Sequence, residues 1–445
     1  MFSLAMRSIG KRPGRFAATL LSSFLGATVI MVFNSLHDTA SGPGVDDVSS
    51  TSLTTAAAVV GGYGTLLVFF AVASTLTVNV RQREEEIRLL RNTGATPAQI
   101  KRMVVGEAAV VGLVGALLAI GPAMIGGSAL LDVFQENGEV AQSVDHVFGP
   151  IALSSGISVT LLASIGAAFL AVRRATRIAA GLGGGRGRAR TVFAGLALVL
   201  GLGSVSATFA MDATEPALMA APAYGAIMIA VGFAVFSPRL LAGLLGVLER
   251  PLSAVFGPSG YLAVHNIRQR ARQLSGVLMP LILFTGLATA TLYMQAVEND
   301  ALKASGLTKS VEDKNMESLN LIVVGIIVAF SCVMLINSLY AATSYRGQEF
   351  GQQRLSGATP GQVLGMVGFE SVLLTVTGVF FGTVAGLLGI LPFTAVRTDS
   401  VWPEQGLGTW FVIAGIAVVA TVGTMLFTGR RVLREPAVSA VALAA

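Results

Sequence analysis

Apolar residues in this chain come in long unbroken blocks, with the charged positions confined to the gaps between them. A helix that is apolar all round is a buried or membrane-spanning helix, and spanning takes roughly 20 mostly apolar residues. Ten blocks reach that length, at about 16–34, 55–79, 104–131, 151–172, 191–210, 222–245, 274–295, 319–343, 363–391 and 409–428. The pattern predicts an all-α polytopic membrane protein with ten transmembrane helices. No small-residue cleavage site follows Asn34, so the first block is expected to stay as a span rather than act as a cleaved signal. Composition agrees. Of the 445 residues 53% are hydrophobic and 12% charged, against about 25% charged in a soluble domain. A soluble, nucleic-acid-binding or disordered chain is excluded in spite of the net charge of +6.

The basic residues fix the expected orientation. With the N-terminus inside, 26 of the 30 Lys and Arg residues fall on the cytoplasmic side, and only Lys303, Lys309, Lys314 and Arg397 fall outside. Sixteen of the 24 acids lie outside, among them Asp46, Asp47, Glu136, Glu139, Asp212, Glu298 and Glu404. The expected topology is N-in/C-in. Topology alone accounts for this bias; an acidic outer face drawing in cationic substrates is the alternative.

The chain carries an internal repeat. Residues 81–97 read RQREEEIRLLRNTGATP and residues 344–360 read SYRGQEFGQQRLSGATP. An offset of 263 pairs Arg83 with Arg346, Glu86 with Glu349, Arg91 with Arg354, Gly94 with Gly357, Thr96 with Thr359, Pro97 with Pro360, Gln99 with Gln362 and Glu107 with Glu370. Leu4–Ile9 resembles Leu262–Ile267, and Arg173, Arg174 and Arg177 resemble Arg430, Arg431 and Arg434. Spans 1–4 and 7–10 therefore read as two copies of a four-helix unit, at 1–178 and 251–445. Residues 179–250 read as a Gly- and Arg-rich linker plus an inserted pair of spans that keeps both copies in the same orientation. Basic amphipathic segments at 2–15 and 261–272 are expected along the inner leaflet.

The repeated motif has a local physical reading. Gly94 and Gly357 are helix stops, because glycine tolerates the left-handed conformation. Thr96-Pro97-x-Gln99 and Thr359-Pro360-x-Gln362 are capping boxes with proline at its favoured first position. Each predicts a short helix, at about 97–103 and 360–366, that runs into the next span near Glu107 or Glu370. A tight chain reversal without further role is the plainer alternative. Gly378, Gly382 and Gly386, and more loosely Gly112 and Gly115, form ridges of small residues suited to close helix packing.

At these residues the sequence resembles the FtsX/MacB-type permeases of ABC transporters, the type VII superfamily. The resemblance lies in Arg81–Ile87, Gly94-Ala95-Thr96-Pro97 and Glu107-Ala108, with a degenerate second copy at Glu349, Arg354, Gly357–Pro360 and Glu370. The duplicated ten-span arrangement is most similar to the BceB-like bacitracin-resistance branch. The loops at about 35–54 and 296–318 depart from the family in being too short for a large outer domain. The resemblance implies an ATPase-coupling site formed by Arg83, Glu86, Arg91, Thr96, Pro97, Gln99, Ile100 and Lys101 in the first copy. In the second it is formed by Arg346, Glu349, Arg354, Thr359, Pro360, Gln362 and Val363. Glu107 and Glu370 mark the helix junctions.

No phosphate-binding loop is present, so this chain is expected to hold no cofactor and to have no enzymatic activity of its own. ATP and magnesium belong on the implied partner, two copies of a separate ABC ATPase. The expected function is that of a permease in the bacterial inner membrane that couples ATP hydrolysis to export or extraction of an amphipathic substrate. That substrate would be an antimicrobial peptide or a lipid-like molecule, moved by mechanotransmission. A regulatory version drives an extracytoplasmic partner instead, such as a lipoprotein, a cell-wall hydrolase or a sensor kinase. An ion-coupled transporter is disfavoured, because no acid lies mid-span. The expected surroundings are membrane lipid, with no nucleic acid. Cys332, the single cysteine, and the scattered His37, His146 and His265 have no metal-ligand spacing.

Overall fold

The computed structural model describes residues 17–58, 89–179, 186–269, 271–304 and 346–438, apart from 55, 91, 139, 214–217 and 399, with scattered positions between 325 and 343. Among these residues all regular structure is helical, and eight helices are long and apolar enough to cross a membrane. The chain is a multi-pass membrane protein. The other two expected spans, 55–79 and 319–343, fall mostly outside the described residues, and the segment 2–15 falls wholly outside them.

The chain divides into two compact units. In the first, α1 (Ala17–Ala40), α2 (Pro97–Glu136) and α3 (Pro150–Ala179) pack on one another. Small side chains let the backbones approach. Ala27 and Met31 of α1 meet Ala116, Ala119 and Ala123 of α2 in a fully buried cluster. A β-carbon at Gly115 would sit 2.9 Å from Ser23 Cβ, and one at Gly112 would sit 2.6 Å from Ser164 Oγ. At 40 residues α2 is about 60 Å long, twice the roughly 30 Å of a hydrocarbon core, so it carries rigid helix well beyond the bilayer.

The end of this unit away from the capping motif is held by polar contacts. The buried Asp38 carboxylate accepts from the backbone N–H groups of Gly149 (3.1 Å), Ile151 (3.1 Å) and Ala152 (2.7 Å). It thereby caps the N-terminus of α3 from a different helix, where a carboxylate is favoured. His146 Nε2 lies 3.0 Å from Ser35 Oγ, and Thr39 Oγ1 accepts from Val147 N–H at 3.1 Å.

The second unit contains α4 (Arg186–Ala207), α5 (Ala220–Gln269), α6 (Ala271–Ala304), α7 (Gly347–Leu355), α8 (Pro360–Thr398) and α9 (Gly408–Leu433). Helix α5 is continuous past Val247, where its apolar stretch ends, so residues 261–269 extend a long helix instead of forming a separate one. Helices α6, α8 and α9 repeat the packing of α1, α2 and α3, while α4 and α5 form the additional pair. The glycine ridge of α8 lies on α6. Added β-carbons at Gly382 and Gly386 would sit 2.6 Å from Thr285 Cβ and 2.9 Å from Thr289 Cβ, and Gly378 packs on Leu281. Far from the motif, Arg397 pairs with Glu298 through bonds of 2.8 and 2.6 Å and donates to the Ala213 carbonyl at 2.6 Å.

Candidate coupling elbows

Both copies of the motif make the same turn. Gly94 and Gly357 stand at φ 94° and 102°, in the left-handed region that a β-carbon disfavours. The Ala95 N–H reaches back to Leu90 O (2.9 Å) and the Ala358 N–H to Gln353 O (2.9 Å), the six-to-one closure of a Schellman stop. Two residues later the next helix begins under a complete capping box. Thr96 Oγ1 accepts from Gln99 N–H (3.3 Å) while Gln99 Oε1 accepts from Thr96 N–H (2.8 Å). Thr359 and Gln362 repeat the pair at 3.3 and 2.9 Å.

The expected short helices at 97–103 and 360–366 are not separate elements. Pro97 opens the 40-residue α2 and Pro360 the 39-residue α8, and both run through Glu107 and Glu370 without interruption. No proline lies between residues 98 and 107 or between 361 and 370 to break the hydrogen-bond ladder. The elbow is therefore one sharp turn followed by helix with no interior proline before Pro122 in α2 and Pro392 in α8.

Within each elbow the implied site residues separate into two groups. Thr96, Gln99, Thr359, Pro360 and Gln362 are exposed on the first turns. Ile100 and Val363, each only 2% exposed, face the core of their own unit instead of a partner. Ile100 joins Met103, Val104, Ala108 and Ile30 in one apolar cluster with Ala163, Ala167, Ala168 and Val172 of α3. Helical spacing dictates this, since positions 100, 103, 104 and 107 share one face. Lys101 is half-buried, its Nζ 3.7 Å from the centroid of the Phe169 ring on α3. At the matching place Leu364 lies against Gly429 of α9.

The second elbow is locked by charge. The Arg346 guanidinium bonds Glu349 through Nε at 3.0 Å and Nη2 at 3.2 Å, and bonds Glu370 through Nη2 at 3.1 Å and through Nη1. The Glu370 side chain is 3% exposed. Burial disfavours the charged guanidinium, but the hydrogen bonds and negative charge of Glu349 and Glu370 outweigh it and push the Arg346 pKa upward. Its guanidinium carbon also lies 5.0 Å from the centroid of the buried Phe350 ring. Arg354 does different work: its Nη1 donates to the carbonyls of Leu433 (3.2 Å) and Glu435 (2.8 Å), closing the C-terminal end of α9. In the first elbow Glu107 is equally buried, at 1% exposure, and it is not without a partner. Arg83, Glu86 and Arg91 lie outside the described residues, and for Pro97 only the backbone position is described.

Sequence reasoning missed Phe350, Phe169 and the α9 carbonyls. An aromatic four residues after Arg346 was a readable signal; a backbone acceptor has none.

A family model for the FtsX-like permease C-terminal domain matches residues 58–180 and again 321–437, together more than half of the chain. The chain is an FtsX-like permease. The two matches begin 263 residues apart, at 58 and 321, which is the spacing of the motifs in the permease sequence. No curated protein matches the permease. Membership makes it an ABC transporter permease subunit, of a family whose ATP hydrolysis is carried out by a partner chain.

Proposed function

We propose that the two elbows are the parts on which two copies of a separate ABC ATPase act, and that the stroke serves export or extraction of an amphipathic substrate. That substrate is an antimicrobial peptide or a lipid-like molecule of the bacterial inner membrane. In this reading the spans at 55–79 and 319–343 complete a set of ten. Units 1–178 and 251–445 are the two repeats joined by 179–250, and both elbows face the cytoplasm with both termini. The siding of 26 of the 30 basic residues supports that orientation.

The observation that carries the proposal is mechanical. Each exposed, Thr-capped turn is continuous with a helix of 39 or 40 residues. Displacement of the turn is thereby carried into the span through Glu107 or Glu370 instead of being absorbed at a joint there, with no interior proline before Pro122 in α2 or Pro392 in α8. The test is Thr96→Ala combined with Thr359→Ala. Losing a cap costs about 1 kcal/mol of local stability, small against the insertion of many apolar spans. Expression and ATPase assembly should stay near normal, while resistance or transport per ATP hydrolysed falls. An unchanged ratio would mean that the boxes only reverse the chain.

A further inference from the structure

The permease carries three arginines at the elbow end of α9 that the coupling account leaves unused. Arg430, Arg431 and Arg434 are all exposed, and none makes an ion pair among the described residues. Adjacent Glu435 is exposed too, and its backbone is engaged at both ends: its N–H donates to Val432 O at 3.3 Å and its carbonyl accepts from Arg354. The arginines follow Phe427 by three, four and seven positions, so all four share one helix face. Phe427 is 70% exposed, and Val419, two turns earlier, is 73% exposed. On a helix that crosses the membrane, that stripe is a lipid-facing surface, and it ends in three cations where the lipid headgroups begin.

The other unit repeats the spacing. Arg173, Arg174 and Arg177 have the same spacing, 257 residues earlier, at the elbow end of α3. The same offset takes Val419 to Leu162 and Phe427 to Leu170, and both of those are exposed as well. Charge opposite to phosphate and continuity with an apolar acyl-chain surface favour one occupant over an acidic protein. We propose that Arg430, Arg431 and Arg434 bind the phosphate of an anionic phospholipid whose acyl chain lies along Phe427 and Val419. Because Arg354 ties α7 to the last carbonyls of the same helix, the bound lipid also fixes the frame of the second elbow.

The experiment titrates the purified full-length permease in neutral detergent with phosphatidylglycerol, and in parallel with phosphatidylcholine, read by native mass spectrometry. Wild type should retain phosphatidylglycerol preferentially, and added salt should strip it. Each arginine near a lipid surface contributes about a fivefold change in affinity, so R430Q/R431Q/R434Q should lose roughly a hundredfold at this site. The R173Q/R174Q/R177Q background isolates that site from its repeat. R430K/R431K/R434K should keep most of the binding, and the single Gln variants provide a graded series if the triple variant does not fold. Millimolar inorganic phosphate should fail to displace the lipid, since the acyl chain contributes. Equal phosphatidylglycerol retention by wild type and the Gln variants overturns the proposal. So does a variant that keeps the lipid but loses its ATPase, which would make the arginines a protein contact. Loss of coupling in the elbow-cap variants with lipid binding intact separates the two readings.

Discussion

At Gly94 and at Gly357 the backbone turns through the same conformation, closes the same hydrogen bonds and restarts under the same Thr–Gln box. The side chains that seat the two turns differ. In the first elbow Lys101 rests on the Phe169 ring; in the second Leu364 packs on Gly429. Backbone geometry is therefore common to both copies, while the means of holding each rod to the third helix of its unit is not. A feature that sets the angle between turn and rod belongs to the shared part. A feature that sets how firmly the turn is seated belongs to the variable part.

The largest effect should come from the buried charges. Arg346→Gln leaves Glu349 and Glu370 facing each other without a cation, and should destabilise the second unit by about 3–5 kcal/mol. Glu370→Gln leaves Arg346 paired with Glu349, and should cost less, about 1–3 kcal/mol. Unfolding of the purified variants in detergent measures both, and equal costs would show that Glu349 does not share the guanidinium. The comparison extends to the first unit. Arg83 stands 263 residues before Arg346 and Glu107 is buried like Glu370, so Arg83→Gln should cost as much as Arg346→Gln. A negligible cost for Arg83→Gln would place the two elbows in different classes.

Much of this was readable from sequence, because capping boxes and glycine stops are local signals. Thr96, Gln99, Thr359 and Gln362 each act within three residues of their partners. What escaped was non-local. Asp38 caps a helix that starts more than a hundred residues later, and Arg354 reaches carbonyls beyond residue 430. No pattern along the chain marks either acceptor or donor backbone. The inward direction of Ile100 and Val363 was available from helical spacing, but a motif read as one docking surface conceals that these two positions are core.

Smaller changes sharpen the shared backbone. Gly94→Ala and Gly357→Ala should each cost about 1–2 kcal/mol, because alanine is strained at positive φ. The costs should be equal, since an added β-carbon meets nothing within 4 Å at either position. A difference in unfolding midpoint between the two variants would mean that one turn is conformationally looser than the other. Next come the caps. Thr96→Ala and Thr359→Ala should each release the first turn by about 1 kcal/mol, seen as faster amide exchange at Gln99 and Gln362 without change further along α2 or α8. The smallest effect belongs to the variable contacts. Lys101→Gln should cost about 0.5–1 kcal/mol and be non-additive with Phe169→Leu. Full additivity of that pair would remove the cation–π contact from the account.

One permease chain presents two elbows with the same backbone turn, and should therefore serve as a complete membrane unit for a pair of ATPases. Native mass spectrometry of the complex purified with its ATPase tests this most directly. The account predicts one permease with two ATPase chains; two permeases with two ATPase chains would contradict it.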